Sequence, residues 1–207
     1  MNILVNQETL GLAASQDPQL TRPMQELMAR VLRENRTRPM RQLMVVGVAR
    51  GVGASFVAQQ AASHLAEVFG QVLIIELCTE GRDDHRLDGD LEHLVSSGSL
   101  VARTRLSLNT GLRLFSLENE ELRRLLTRLH ERFPVVLWDM PPPTVTSVAL
   151  VAAKVLDGII LVAQAGRTRR PVARHVRDRL EESGGQFLGV VLNRSANFIP
   201  DWLYRWL

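Results

Sequence analysis

The stretch from Leu43 to Leu77 constrains what this chain can fold into more than any other part of it. An apolar run, Leu43–Val46, meets a turn that carries Gly47, Gly51 and Gly53. Ser55 then opens a segment with Val57, Ala58, Ala61, Ala62, Leu65, Val68 and Phe69 at helical spacing, and Gly70 is a stop signal. A second apolar run, Val72–Leu77, follows at once. Strand, glycine turn, helix and strand make a βαβ unit, whose first turn is where such units hold phosphate.

The phosphate-loop pattern is Gly, four residues, Gly, Lys, then Ser or Thr. Here Gly47 to Ser55 reads GVARGVGAS. Counted back from Ser55, Gly53 holds the place of the last glycine and Ser55 that of the magnesium hydroxyl. Ala54 stands where the lysine belongs, and Val48 holds the first glycine's place because Gly47 lies one residue upstream. The glycines let backbone N–H groups converge on an anion without an intruding Cβ. The lysine carries the charge that reaches the β- and γ-phosphates. The segment predicted to hold a nucleotide is therefore Arg50, Gly51, Val52, Gly53, Ala54 and Ser55.

Further apolar runs follow the same logic. Pro134–Asp139 predicts a strand that ends in an acid, Gly158–Ala163 another, and Leu188–Asn193 a last one. Val148–Val155, Glu120–Arg132 and the segment from Arg167 through Leu180 predict helices between them, whereas Gly111–Leu117 alternates like a strand. Near-continuous apolar strands alternating with helices predict an α/β, doubly wound, mainly parallel sheet covered on both faces. Asp139 and Glu76 each close an apolar strand, and a carboxylate at that edge faces the crevice of the glycine turn. Both are candidate catalytic acids, and Ser55 with Asp139 is the candidate magnesium pair.

Composition narrows the function classes. Hydrophobic residues at 45% and charged residues at 23% suit a globular domain, and a net charge of +3 is too mild to argue for nucleic acid. Lys154 is the only lysine, so none lies near the turn. The single cysteine, Cys78, excludes an internal disulfide and reads as a buried thiol in a reducing compartment. No run of about 18 apolar residues predicts a membrane span, and the N-terminus does not read as a secretion signal. The expected location is the cytoplasm.

Residues 1–40 read as an arm, 41–195 as the α/β domain and 196–207 as an aromatic tail. In the arm, Met24, Leu27, Met28, Val31 and Leu32 share a helical face, with Arg30 and Arg33 opposite. That helix either packs on the domain or makes a subunit contact. Thr79–Asp90 reads as a solvated loop, despite Asp83, Asp84 and His85, and Leu91–Val95 suggests a short helix. The tail, with Trp202, Tyr204 and Trp206, either folds back or anchors a partner or a membrane surface.

At these residues the chain resembles the cytoplasmic domain of bacterial tyrosine autokinases of the CpsD/CapB type, within the MinD/ParA-like P-loop superfamily. The resemblance covers about Met24 to Asn193 and includes Val46–Ser55, Val72–Cys78, Val135–Pro142, Asp157–Val162, Gly166–Arg170 and Leu188–Arg194. It implies a three-layer P-loop NTPase-like fold, a role in capsule and exopolysaccharide synthesis, and ATP or ADP with magnesium, which the departures below reduce to weak binding or none. Arg30 and Arg33 match two arginines of a helix that assembles the family's subunit ring, while Leu27 stands in its glutamate position.

The departures fall on catalytic parts. Besides Ala54, the second motif's aspartates are Glu76 and Cys78, Met140 follows Asp139 in place of Thr or Ser, and Ala49 holds the signature-lysine position of the MinD-like relatives. A tyrosine-rich tail is absent, leaving Tyr204 as the chain's only tyrosine. A cation on a transferring phosphoryl group is worth roughly 10³–10⁵ in rate, whereas each surface helix-dipole contribution is about 0.3–1 kcal/mol. The leading expectation is a homo-oligomeric, non-catalytic or weakly active assembly or regulatory subunit with an inner-membrane co-polymerase or synthase as partner, and no nucleic acid. The alternatives are an active kinase or ATPase using Arg50 with Glu76 and Asp139, and a MinD-like positioning ATPase whose tail touches membrane.

Overall fold

Burial at every position of the first and fourth strands dictates the architecture. In the computed structural model, which describes residues 27–36, 38–79, 98–116 and 120–194, β1 (Gln42–Gly47) and β4 (Val135–Met140) are buried throughout. Strands of that kind need helices over both faces. With β2 (Val72–Cys78), β3 (Val101–Ser107), β5 (Gly158–Gln164) and β6 (Phe187–Asn193) they form one six-stranded sheet in the order β3-β2-β4-β1-β5-β6. Every neighbouring pair is parallel.

The period-2 alternation of the strands sorts their side chains into two cores. On one face Leu43, Val45, Ile74, Leu137 and Ile160 pack under α1 (Ala54–Phe69) and under residues 27–34, which are helical. On the other, Met44, Val46, Ile75, Trp138 and Leu161 meet α2 (Leu108–Ser116), α3 (Glu120–Arg132), α4 (Val148–Ala153) and α5 (Arg170–Glu182). Trp138, the largest fully buried side chain, stacks edge-on against Phe115 at 5.1 Å and donates its indole N–H to Gln42 Oε1.

The arm helix packs on the domain: Leu27, Met28 and Val31 are buried, and Arg30 and Arg33 are exposed on the other side. Met24, the Thr79–Asp90 stretch beyond Thr79 with Asp83, Asp84 and His85, the Leu91–Val95 segment and residues 196–207 lie outside the described residues. Cys78 is half-buried, not buried as expected.

Two elements differ from the sequence reading. Gly111–Leu117 predicts a strand, but its described part lies in α2. In a window that short, alternation and helical spacing overlap; burial of Thr110, Gly111, Leu114 and Phe115 follows the 3.6 period. Two local features favour the helix. The Ser107 hydroxyl accepts the Thr110 N–H at 3.1 Å, a capping bond. Gly111 lets α2 approach β2, since a Cβ there would sit 2.4 Å from Leu77 Cδ2. The strand is instead β3, just upstream, in a segment (VARTRLS) too polar to signal one. As an edge strand β3 tolerates charge, and its arginines guard the open edge.

Because both neighbours point into one core, Leu114→Ala and Phe115→Ala should each cost about 2–5 kcal/mol in urea unfolding, and Leu112→Ala, at a partly exposed position, less than 1 kcal/mol. A strand would bury only alternate residues on that face, leaving one of the adjacent pair nearly neutral.

Candidate functional site

The glycine turn leaves β1 at the carboxyl edge of the sheet. Val48 N–H donates to Val162 O at 2.9 Å, extending the β1–β5 ladder by one residue before the chain turns away. Val52, 5% exposed, pins the turn to the core beneath it. Gly51 and Gly53 have φ of 75° and 87°, a region L side chains avoid. Gly53 is the N-cap of α1, with no side-chain capping bond and no acid in the first turn. The N–H groups at that helix end therefore remain open to an anion, with the helix dipole behind them.

Asn193, at the end of β6, clamps this turn. Buried at 3% exposure, it donates through Nδ2 to Val52 O at 2.9 Å and accepts the Arg194 N–H on Oδ1 at 2.9 Å. A Cβ on Gly53 would stand 2.1 Å from Nδ2, so a side chain there would expel the clamp.

Asp139 sits beside the turn on β4, with Val45 and Glu76 as its Cα partners on either side. Its Oδ2 is buried with no hydrogen-bond partner among the described residues. Burial pushes the carboxyl up to about 6; a hydrogen bond from the Ser55 hydroxyl opposes this, Glu76 adds to it, and Arg103 opposes it. Glu76 is engaged elsewhere: its Oε2 accepts from Arg105 Nε at 3.1 Å and lies 3.9 Å from Arg103 Nη1. Arg103 in turn donates to Gln59 Oε1, on α1, at 2.8 Å.

The fold thus brings together the turn, Ser55, Asp139 and Glu76. Arg50 is exposed on the turn and makes no hydrogen bond or ion pair with another described residue, and Ala54 is half-buried at the start of α1. Arg30 and Arg33 lie on the arm helix, on residues 27–34. Trp202, Tyr204 and Trp206 lie outside the described residues. An orphaned carboxylate oxygen beside a serine hydroxyl, in front of an open glycine cradle, fits magnesium with a polyphosphate. Among the described residues no cluster of three or more His, Cys, Asp or Glu forms a metal cage, and magnesium needs none, since it keeps water and ligand phosphate in its shell. The side chain at position 54 supplies nothing to the terminal phosphates.

Three participants escaped the sequence reading. Asn193 was visible only as the end of an apolar strand. Arg103 and Arg105 stand two apart, which would have put them on one face of a strand had β3 been recognised.

The fold is a three-layer α/β fold of the kind seen in ParA-like P-loop proteins. A ParA family ATPase from Chlorobium tepidum superposes with a TM-score of 0.52 at 16% identity, over 75% of each chain. In sequence the chain is similar to the tyrosine-protein kinase CpsD of Streptococcus agalactiae, 33% identical over 86 residues. That match covers 42% of this chain and 37% of CpsD, so it spans little more than a third of the relative's length. The chimerical protein CapA2B2 shares the fold with a TM-score of 0.66 at 14% identity, over 88% of each chain. The VpsO kinase domain does so with 0.61 at 20% identity, over 88% of this chain and all of that one. No family profile matches the chain.

The raised Asp139 carboxyl has a consequence for stability. From an ordinary 3.8 to about 6, the folded state holds the proton more tightly than the unfolded chain. Wild-type stability therefore falls as pH rises through that window, and the penalty is complete above it. Asp139→Asn escapes the ionisation, so it should be more stable than wild type by roughly 2–3 kcal/mol at pH 7.5, the advantage vanishing near pH 4. Urea unfolding of both proteins across this range measures it.

Proposed function

We propose that the chain is a tyrosine-autokinase-like P-loop protein that binds ATP or ADP weakly with magnesium and transfers phosphate poorly or not at all. It acts as a cytoplasmic assembly or regulatory subunit of a bacterial exopolysaccharide synthesis and secretion machine. Its partner is an inner-membrane co-polymerase or synthase subunit, and it self-associates through the arginine face of the arm helix. Among the described residues no helix is long and apolar enough to cross a membrane, which suits attachment through a partner.

The observation that carries this reading is Ala54 at the head of α1, behind a glycine turn that leaves the helix end without a side-chain cap. Bound magnesium would neutralise phosphate charge, with Ser55 and Asp139 as its protein-side groups. The arginines brought to this edge, Arg103 and Arg105, are held on Glu76. Arg50 is exposed on the turn, and its long planar head does not replace a lysine by geometry. What survives is a backbone anion site with a metal pair: enough for occupancy, short of the charge that lowers a phosphoryl-transfer barrier.

A second reading, an active kinase or ATPase, draws on the intact Ser55–Asp139 pair. One experiment separates the two. Purified protein with labelled ATP and magnesium should yield neither phosphotyrosine nor hydrolysis above background, while Ala54→Lys should raise ATP affinity about ten-fold or more. Autophosphorylation of the wild type on Tyr204, abolished in Asp139→Asn, sinks the scaffold reading.

A further inference from the structure

One polar row remains once the turn and Asp139 are assigned. Arg105, Glu76 and Asp139 are Cα partners across β3, β2 and β4; with strands about 4.8 Å apart, the row measures about 10 Å between its end Cα atoms. Glu76 receives Arg105 at 3.1 Å and has Arg103 at 3.9 Å. Arg103 also reaches Gln59 on α1 at 2.8 Å. Gln59 follows Ser55 by four residues on the same helix face, so the Arg103 guanidinium stands about one turn along from the hydroxyl of the cradle. The side chains of Arg103 and Arg105 are 38% and 66% exposed, and that of Glu76 24%. Each guanidinium carries five N–H donors, and that of Arg103 is already shared between the Glu76 carboxylate and the Gln59 amide oxygen.

We propose that Arg103 and Arg105 form a polyphosphate-binding pair, supplying from the sheet edge the positive charge missing at position 54, with Glu76 the internal anion that the ligand's terminal phosphates displace. The inference rests on the reading of this edge as a nucleotide cradle and adds the residues that give it affinity. A guanidinium fork matches phosphate oxygens as well as carboxylate oxygens. A terminal phosphate carries more charge than the glutamate it replaces, and both arginines are exposed enough to turn without unpacking the core. The exchange is also consistent with occupancy without turnover. The charge arrives from β3, whereas a loop lysine stands on the helix directly over the phosphates.

Titration of inorganic triphosphate, and of ADP, in EDTA tests the exchange while keeping Glu76 from acting through a metal. Glu76→Gln should tighten binding about five-fold or more, and Arg103→Gln/Arg105→Gln should weaken it about ten-fold or more and cancel the gain in the triple variant. Arg103→Lys/Arg105→Lys should fall between. Thermal melts check that each variant is folded; if the paired glutamine variant is not, the Glu76→Gln titration decides alone. Equal affinity of the folded arginine variant and wild type overturns the pair, as does weaker binding by Glu76→Gln or binding too weak to measure in both wild type and Glu76→Gln. Phosphotyrosine formation is scored separately, so an active kinase would defeat the scaffold reading without touching this order of affinities.

Discussion

An all-parallel sheet buried on both faces is the constraint behind every feature of this protein. Strands β1 and β4 have no solvent face, so their positions are apolar apart from Gln42, which accepts the Trp138 indole N–H, and Asp139 near the end of β4. Polar chemistry is confined to the carboxyl ends of the strands, where side chains emerge from the sheet. Glu76, Asp139 and Asn193 all lie in the last three positions of their strands, and the glycine turn leaves β1 at the same edge. The site is a consequence of where a doubly covered sheet permits charge.

That placement carries an energetic cost at Asp139. The carboxylate is 5% exposed, with one oxygen unpartnered among the described residues and a second carboxylate on the adjacent strand. A residue chosen for stability alone would not ionise there. Around it the fold spends polar contacts on holding the turn: the Asn193 amide fixes the Val52 carbonyl, and Gly53 leaves room for that amide. The geometry of the turn suits an anion, while alanine stands at the lysine position of the phosphate-loop pattern. The proposed function rests on that combination.

Much of this was legible from one dimension. The βαβ unit, the turn and the acids at 76 and 139 are local signals: apolar runs, glycine spacing and a charged residue where a run stops. Similarity to CpsD over 86 residues agrees with the family resemblance that the sequence carries. The errors have a common origin in short or edge elements. Gly111–Leu117 satisfied two periodicities at once, and the burial of both Leu114 and Phe115 against β2, β4 and their neighbours chose the helix. The β3 segment is rich in arginine because it lies at the sheet's edge, and edge position is not written in local hydrophobicity.

The sequence by itself determined the class of fold, the position of the glycine turn and the absence of a lysine from it, because each depends on residues close together in the chain. Tertiary structure alone decided which charges meet. Pairings such as Arg103 with Gln59, 44 residues apart, or Asn193 with Val52, 141 apart, follow from strand order and register. No local pattern encodes that order: β4 inserts between β1 and β2 because the crossover helices must cover both faces, and only then do Glu76 and Asp139 become neighbours.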